Sequence, residues 1–278
     1  MQSFVCLSDI HYPYEDPLAM RLVNRFLEDF RPDVLVFNGD IWDMPQISKY
    51  DRRREELKDP KNLQEHLDHG KDGVAHSIEA AHPKETLLIL GNHEDRWENY
   101  LGSRAPELAS LRSLGFESVF NLGALKWKRY GEGFWLNDSL FVYHGSYTGG
   151  SWTDRERVSA GASTITGHMH QQRVTYHRDR ARTYKNVAQG CLCLLNPPYL
   201  RTPPNWQQGF VYGYLFNDGK FRIIETEIVH GEDAIWMAPE GQLYSEQTSQ
   251  RKTTTPSTTR EALTSRLSPF RQDLERLA

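Results

Sequence analysis

Five short polar clusters follow apolar runs in this sequence: Asp9-x-His11, Asp40-x-x-Asp43, Asn92-His93, His144 and His168-x-His170. Carboxylate, imidazole and amide oxygen are the donors that hard-to-borderline divalent cations prefer. The set holds enough donors for two cations with positions left open for water. Glycine precedes Asp40, Asn92 and His168 and follows His144. That suits tight turns where backbone passes close to a metal or a phosphate. Any one cluster alone is a weak signal, because a lone Asp-x-His or a lone histidine is common. Taken in order, each at the end of an apolar run, they form one constellation.

The elements that must position these clusters are legible in the patterning. Phe4-Val5-Cys6-Leu7 reads as a buried strand leading into Asp9 and His11. Asp16 caps a helix with Pro17 at its first position, and Leu18, Leu22, Val23, Phe26, Leu27 and Phe30 recur at helical spacing up to Arg31-Pro32. Asp33 to Phe37 is a second strand, leading into Asn38-Gly39-Asp40. Asp59-Pro60 is another helix start, with Leu63, Leu67, Val74 and Ile78 on one face. Thr86 to Leu90 is a third strand, leading into Gly91-Asn92-His93-Glu94. This strand–helix–strand–helix–strand order predicts parallel strands with crossover helices, whose carboxyl-end loops converge on one crevice. Further on, Phe134–Leu136 and Leu140–Tyr143 flank a turn at Asn137-Asp138, a helix is expected near Trp152–Ala160, and Ser163–Thr166 leads into Gly167-His168. From Val174 to Val229 alternating segments predict a more antiparallel sheet, with a hairpin around Asn217-Asp218-Gly219.

The ordered set Asp9-x-His11, Gly39-Asp40-x-x-Asp43, Gly91-Asn92-His93-Glu94, His144-Gly145 and Gly167-His168-x-His170 resembles the calcineurin-like metallophosphoesterase superfamily. The resemblance spans residues 9 to 170. It implies an α/β fold, a four-layer α/β/β/α sandwich with two mixed sheets. It also implies one metal held by Asp9, His11, Asp40 and His170 and a second held by Asp40, Asn92, His144 and His168. His93 would be the acid beside the substrate, oriented by Asp43. Two divalent cations roughly 3.5–4 Å apart can activate water and clamp phosphoryl oxygens for in-line attack. The donor set admits Mn, Fe, Zn, Ni or Co, and the resemblance favours manganese. The implied function is hydrolysis of phosphate esters, as a phosphomonoesterase or phosphodiesterase on a nucleotide or nucleic-acid-derived substrate. The first alternative is a DNA or RNA nuclease, which needs a basic, aromatic-lined groove. The second is a non-catalytic binding scaffold, which loss of ligands would signal. Protein Ser/Thr phosphatases of this superfamily continue the second motif with Arg-Gly and carry an arginine before the Gly-Asn-His-Glu motif. Met44-Pro45 and Leu90 stand there instead, which counts against a phosphoprotein substrate. The size resembles small bacterial or phage phosphoesterases.

Candidate substrate contacts are open. Arg96 can hold a phosphate oxygen, or pair with Asp95 or Glu98 at the surface. Asn92 is a candidate for both metal and substrate. Lys49 to Arg54 is either a wall for a polynucleotide or a solvated charged face. Trp42 either stacks on a base or packs in the core or rim. Asn205-Trp206-Gln207-Gln208-Gly209, after Pro203-Pro204, is either a cover over the site or a plain connecting loop. Cys191-x-Cys193 can bind a soft metal, though two buried thiols on one face of a strand is the simpler reading. His66, His69, His76, His82 and His177 lie in polar stretches and are expected to be exposed, and His230 is expected in a turn. None of these six is taken as a ligand.

Composition bounds the rest. Lys+Arg 33 against Asp+Glu 37 leaves a net charge of −4 in 278 residues, which argues against a protein held on nucleic acid by bulk charge. No apolar run approaches the ~18 residues of a membrane span. Three cysteines are no disulfide framework and suit a reducing compartment. A ligand as early as residue 9 leaves no room for a cleavable leader, so a cytoplasmic protein is expected. The expected organisation is a phosphoesterase domain over residues 1–245 and a Ser/Thr-rich linker with a tail helix over 246–278, which docks or binds a partner or second subunit.

Overall fold

The computed structural model describes residues 1–48, 63–197, 200, 202–230, 233–239 and 241–247. Lys49 to Arg54, the Asp59-Pro60 helix start and the expected linker and tail beyond residue 247 lie outside the described residues. The described residues up to 247 form one compact unit.

Within the first unit the chain runs β1 (Gln2–Leu7), α1 (Pro17–Phe30), β2 (Val34–Asn38), α2 (Leu63–Ala81), β3 (Glu85–Ile89), α3 (Asn92–Arg104), α4 (Phe116–Val119) and β4 (Lys126–Lys128). It continues through β5 (Gly133–Asn137), β6 (Leu140–Tyr143), α5 (Trp152–Ala160), β7 (Ser163–Thr166), β8 (Gln172–Arg178) and β9 (Thr183–Gln189). It ends with β10 (Val211–Leu215), β11 (Phe221–Glu225), β12 (Val229–His230), β13 (Asp233–Met237) and β14 (Leu243–Gln247). The Asp16 carboxylate accepts from the Leu18 and Ala19 N–H groups at 2.9 and 3.2 Å, and Arg31 closes α1 in the left-handed region.

Two mixed sheets lie face to face, as the resemblance implies. The first has the order β11-β10-β1-β2-β3-β4, with β1 to β4 parallel and β10 and β11 antiparallel. The second has the order β5-β6-β7-β9-β8, with a parallel centre and antiparallel edges. Strand alternation divides the side chains of the first sheet. Phe4, Cys6, Val34, Val36, Leu87 and Ile89 face Leu140, Val142, Ile165 and Val187 of the second sheet. Val5, Leu7, Leu35, Phe37 and Leu88 face α1 and α2. The helix α5 packs on the outer face of β7, β8 and β9. The layers are therefore helix, sheet, sheet, helix.

Three expectations need correcting. The second half is not simply antiparallel, because β6, β7 and β9 run parallel in its centre. The hairpin around Asn217-Asp218-Gly219 leaves that half and extends the first sheet by pairing β10 with β1. The pair Cys191 and Cys193 sits in irregular chain, joined to Gln208 and Glu15 by isolated bridges rather than in a strand. In addition, β12, β13 and β14 make a third, antiparallel sheet that places Trp236 and Tyr244 against Phe26 of α1.

Candidate metal centre

The five clusters meet at the carboxyl ends of β1, β2, β3, β6 and β7. Neighbouring parallel strands deliver the first two loops side by side, and backbone hydrogen bonds join them. The N–H groups of Asp9, His11 and Tyr12 donate to the carbonyls of Gly39, Asp40 and Ile41 at 3.0, 3.0 and 2.7 Å. Gly39 has φ +84°, and a Cβ there would overlap the His144 imidazole. A Cβ on Gly91 would overlap Asp40, and one on Gly167 would overlap Ser8 and Asp9. Asp9, His11, Asp40, His168 and His170 all sit at positive φ, from 51° to 70°. Non-glycine residues held there cost of order 1–3 kcal/mol each and persist only where surrounding structure over-determines them.

Donor atoms of Asp9, His11, Asp40 and His170 converge within one group, and those of Asp40, His144 and His168 within a second. Asp40 belongs to both. Its Oδ2 lies 3.2 Å from His144 Nε2 and 3.9 Å from His11 Nε2. In the first group His170 Nε2 stands 3.1 Å from Asp9 Oδ1 and 3.0 Å from His11 Nε2. Asn92 Oδ1 lies 2.7 Å from His168 Nδ1, which brings the amide to the second group. His11, Asp43 and His93 form a third group beside the first.

These residues fit divalent cations. His144 Nδ1–H donates to the Asn38 carbonyl at 2.7 Å, which aims the buried Nε2 at Asp40 as the atom that a cation would take in place of a proton. The facing Nε2 atoms of His11 and His170 have room for at most one proton between them, whereas a cation serves both lone pairs. The electrostatics agree. Burial opposes the charged forms, but Asp40 and Asp9 lift His144 to about 10, and Asp9 lifts His170 to about 9. Burial and the neighbouring His93 push His11 down to about 4, and burial and His144 lower His168. Burial also opposes charge on Asp9 and Asp40, yet the imidazoles hold both carboxyls below their ordinary range.

Asp43 orients both rings: its Oδ1 accepts from His11 Nδ1 at 3.0 Å, and its main-chain carbonyl accepts from His93 Nδ1 at 3.1 Å, with Oδ1 3.0 Å from the same His93 nitrogen. His93 keeps 14% of its side chain exposed, while Asp43 is buried. Arg96 donates to His93 Nε2 at 2.6 Å and to the Asp43 carbonyl at 2.9 Å; it makes neither of the expected pairs with Asp95 or Glu98. Glu98 instead binds Arg129. Trp42 is 1% exposed, donates to the Leu67 carbonyl and packs on Phe120, which closes the base-stacking reading for that residue. His66, which its polar stretch places at the surface, is instead buried, its ring beside the Gln46 amide, because it faces inward one residue before Leu67. His69, His76, His82 and His177 are exposed. His230 lies in β12 rather than a turn. Trp206 reaches the centre, its ring 4.2 Å from that of His170.

Glu94, Ser8, Glu156 and Cys193 also bear on the site. Glu94 is fully buried and accepts the N–H groups of Gly91, Asp40, Ile41 and Trp42 at 2.6, 3.1, 2.7 and 2.8 Å. Burial and Asp40 raise its carboxyl above the usual range, and the Trp42 and Gly91 N–H groups pull it back. Its position three residues after the helix-capping Gly91 was the available signal. Ser8 donates to the Asn38 carbonyl and sits 2.5 Å from Asp9 Oδ2. Glu156 receives Ser146 and Tyr147 N–H at 2.7 and 2.8 Å and the Tyr143 hydroxyl, and so fixes the loop after His144. Cys193 Sγ approaches His170 Nδ1 at 3.9 Å. Ser8 and Glu156 carry no pattern that marks them in the sequence.

The chain is 25% identical over 239 residues to the gene 54 protein of Mycobacterium phage D29, covering 81% of this chain and 92% of that protein. It is 23% identical over 220 residues to the gene 54 protein of Mycobacterium phage L5, covering 74% and 86%. Among solved structures, Entamoeba histolytica Vps29 complexed with Zn²⁺ is 11% identical with a TM-score of 0.42, covering 88% of this chain and 98% of that one. Cryptosporidium parvum vacuolar protein sorting 29 is 10% identical with a TM-score of 0.43, covering 89% and 96%. The family model for calcineurin-like phosphoesterases matches residues 3–190. With two thirds of its length and every one of the five clusters inside that match, the chain belongs to the calcineurin-like phosphoesterase family.

Proposed function

We propose that this protein hydrolyses phosphate esters, as a phosphomonoesterase or phosphodiesterase, on a nucleotide or nucleic-acid-derived substrate. The observation that carries the reading is the sharing of Asp40 between the two donor groups. In this reading Asp9, His11, Asp40 and His170 hold one divalent cation, and Asp40, Asn92, His144 and His168 hold the other. The cations supply polarisation of phosphoryl oxygens and a water acidic enough to ionise near neutral pH. Manganese is the proposed metal, within a donor set that also suits Fe, Zn, Ni or Co.

The chain's own residues supply the remainder. The Asp43 main-chain carbonyl accepts Nδ1–H of His93 at 3.1 Å, with the Asp43 carboxylate 3.0 Å from the same nitrogen, and the ring is fixed so that Nε2 is the atom that meets the leaving group. Arg96 donates to that same Nε2, so the nitrogen cannot carry a proton while the guanidinium is in place. An incoming phosphoryl oxygen gives Arg96 a charged acceptor and frees Nε2 to be protonated and to deliver its proton to the leaving oxygen. Neutral Asn92 adds no negative charge where an anionic ester must enter. Glu94 holds the Asp40–Trp42 backbone, and Glu156 holds the loop after His144, so the donors are kept in place before substrate arrives.

The reading is tested with bis-p-nitrophenyl phosphate and p-nitrophenyl phosphate, using chelated protein and protein reloaded with manganese. Hydrolysis that requires the metal and falls about 10²–10⁴-fold in His93→Ala is expected. Undiminished hydrolysis by fully chelated protein contradicts it.

A further inference from the structure

We propose that Trp206 is a stacking platform for the base of a nucleotide substrate, a specificity-determining residue at the rim of the metal centre. This rests on the phosphoester-hydrolase reading above. Trp206 is partly exposed, and its ring meets that of His170 at an interplanar angle of 60°. No hydrogen bond ties the indole to another group among the described residues, so the side chain does not hold its own loop. The residue after it does that. Gln207 N–H donates to the His170 carbonyl at 2.9 Å, and the Gln207 carbonyl accepts from Cys191 N–H at 3.0 Å. The Gln207 side chain accepts from Gln172 N–H at 3.1 Å and donates to Asn205 Oδ1 at 3.0 Å. Pro203 and Pro204 restrict the approach. A flat ring is thus carried on a loop anchored by backbone, in contact with a donor residue of the centre.

Substrate phosphate must reach donor groups that include His170, so the group esterified to it comes to lie near that histidine. Trp206 touches His170 from outside the donor set. The other aromatic rings near the centre offer less. Trp42 is enclosed in the core, and the ring of Tyr130 lies 6.2 Å from that of His144, against the second donor group. An indole face accepts any base, and loss of such a stack weakens binding about tenfold to hundredfold.

Full-length, manganese-loaded protein is titrated with adenosine 5′-monophosphate and with ribose 5-phosphate, probes that share the phosphate and sugar and differ in the base. The ratio of their affinities is the readout. Expected is a preference of about tenfold or more for the nucleotide in the unaltered protein. That preference falls toward unity in Trp206→Leu, which keeps apolar bulk against His170, and is largely retained in Trp206→Phe, which keeps a ring. A ratio near one in the unaltered protein, or an unchanged ratio in Trp206→Leu, overturns the proposal. Failure of the underlying reading looks different: neither probe binds, bis-p-nitrophenyl phosphate is not hydrolysed, and the platform falls with it.

Discussion

Glu94→Gln is the most searching single change, because it alters one atom of a side chain that binds only backbone N–H groups, that of Asp40 among them. Each carboxylate oxygen accepts two backbone N–H groups, from Gly91 and Asp40 on one side and from Ile41 and Trp42 on the other. The amide keeps one carbonyl oxygen for one pair and turns an NH₂ toward the other. Two charge-assisted hydrogen bonds are lost at about 1.5–3 kcal/mol each, partly offset by no longer burying a charge. A net loss of about 3 kcal/mol is expected, against a total of about 5–15 kcal/mol for a domain. For a unit of this size that is a fall in Tm of about 6–12 °C. Urea unfolding of chelated protein measures this without any contribution from bound metal. A second readout follows from the Asp40 N–H being one of the four donors: manganese affinity should drop in the same variant. Stability within about 0.5 kcal/mol of the unaltered protein would refute Glu94 as the brace of the centre.

Three further outcomes are expected. In chelated protein the raised His144 and His170 contribute stability that is fully present below about 6.5 and lost as pH climbs through about 9 and 10. Each cation needs the raised ring of its own group neutral, so manganese affinity at each site, measured by calorimetry, should rise about tenfold per pH unit from pH 7 to 8.5, one proton displaced per cation; a flat profile contradicts the protonation assigned here. Gly39→Ala forces a methyl group onto the His144 ring from a backbone at φ +84°, so metal analysis should find the His144 cation lost while the His170 group still binds. Trp42→Ala should cost about 3–5 kcal/mol as a core cavity in urea unfolding, and an equally stable variant would place Trp42 outside the core.

Local chemistry explains what the sequence made readable. Asp16-Pro17 marked the start of α1 because cap and proline act within one turn, and the continuous apolar runs of β1, β2 and β3 reflect strands covered on both faces. The donor clusters stood out because loops at strand ends must carry both glycine and ligand within a few residues. What stayed hidden depends on distant partners. The helix α3 is strongly polar and begins inside the Gly-Asn-His-Glu motif, so only Trp97 and Leu101 hint at an inner face. The pairing of β10 with β1 joins residues more than two hundred apart, which no local period reports. His66 has the same polar neighbours as the exposed His69, and its burial is decided by which face of α2 meets the Met44–Ile47 segment. Arg96 was read against its nearest acids in sequence, yet its partners are His93, one helical turn away, and a carbonyl some fifty residues back.

In the proposed centre one carboxylate, Asp40, serves two cations that together carry phosphoester hydrolysis. Metal content by mass spectrometry, read beside hydrolysis of bis-p-nitrophenyl phosphate in unaltered protein and Asp40→Asn, tests it most directly. Expected are two manganese ions per chain in the unaltered protein, and loss of both cations and of hydrolysis in Asp40→Asn. An Asp40→Asn protein that keeps its metals and its activity would contradict it.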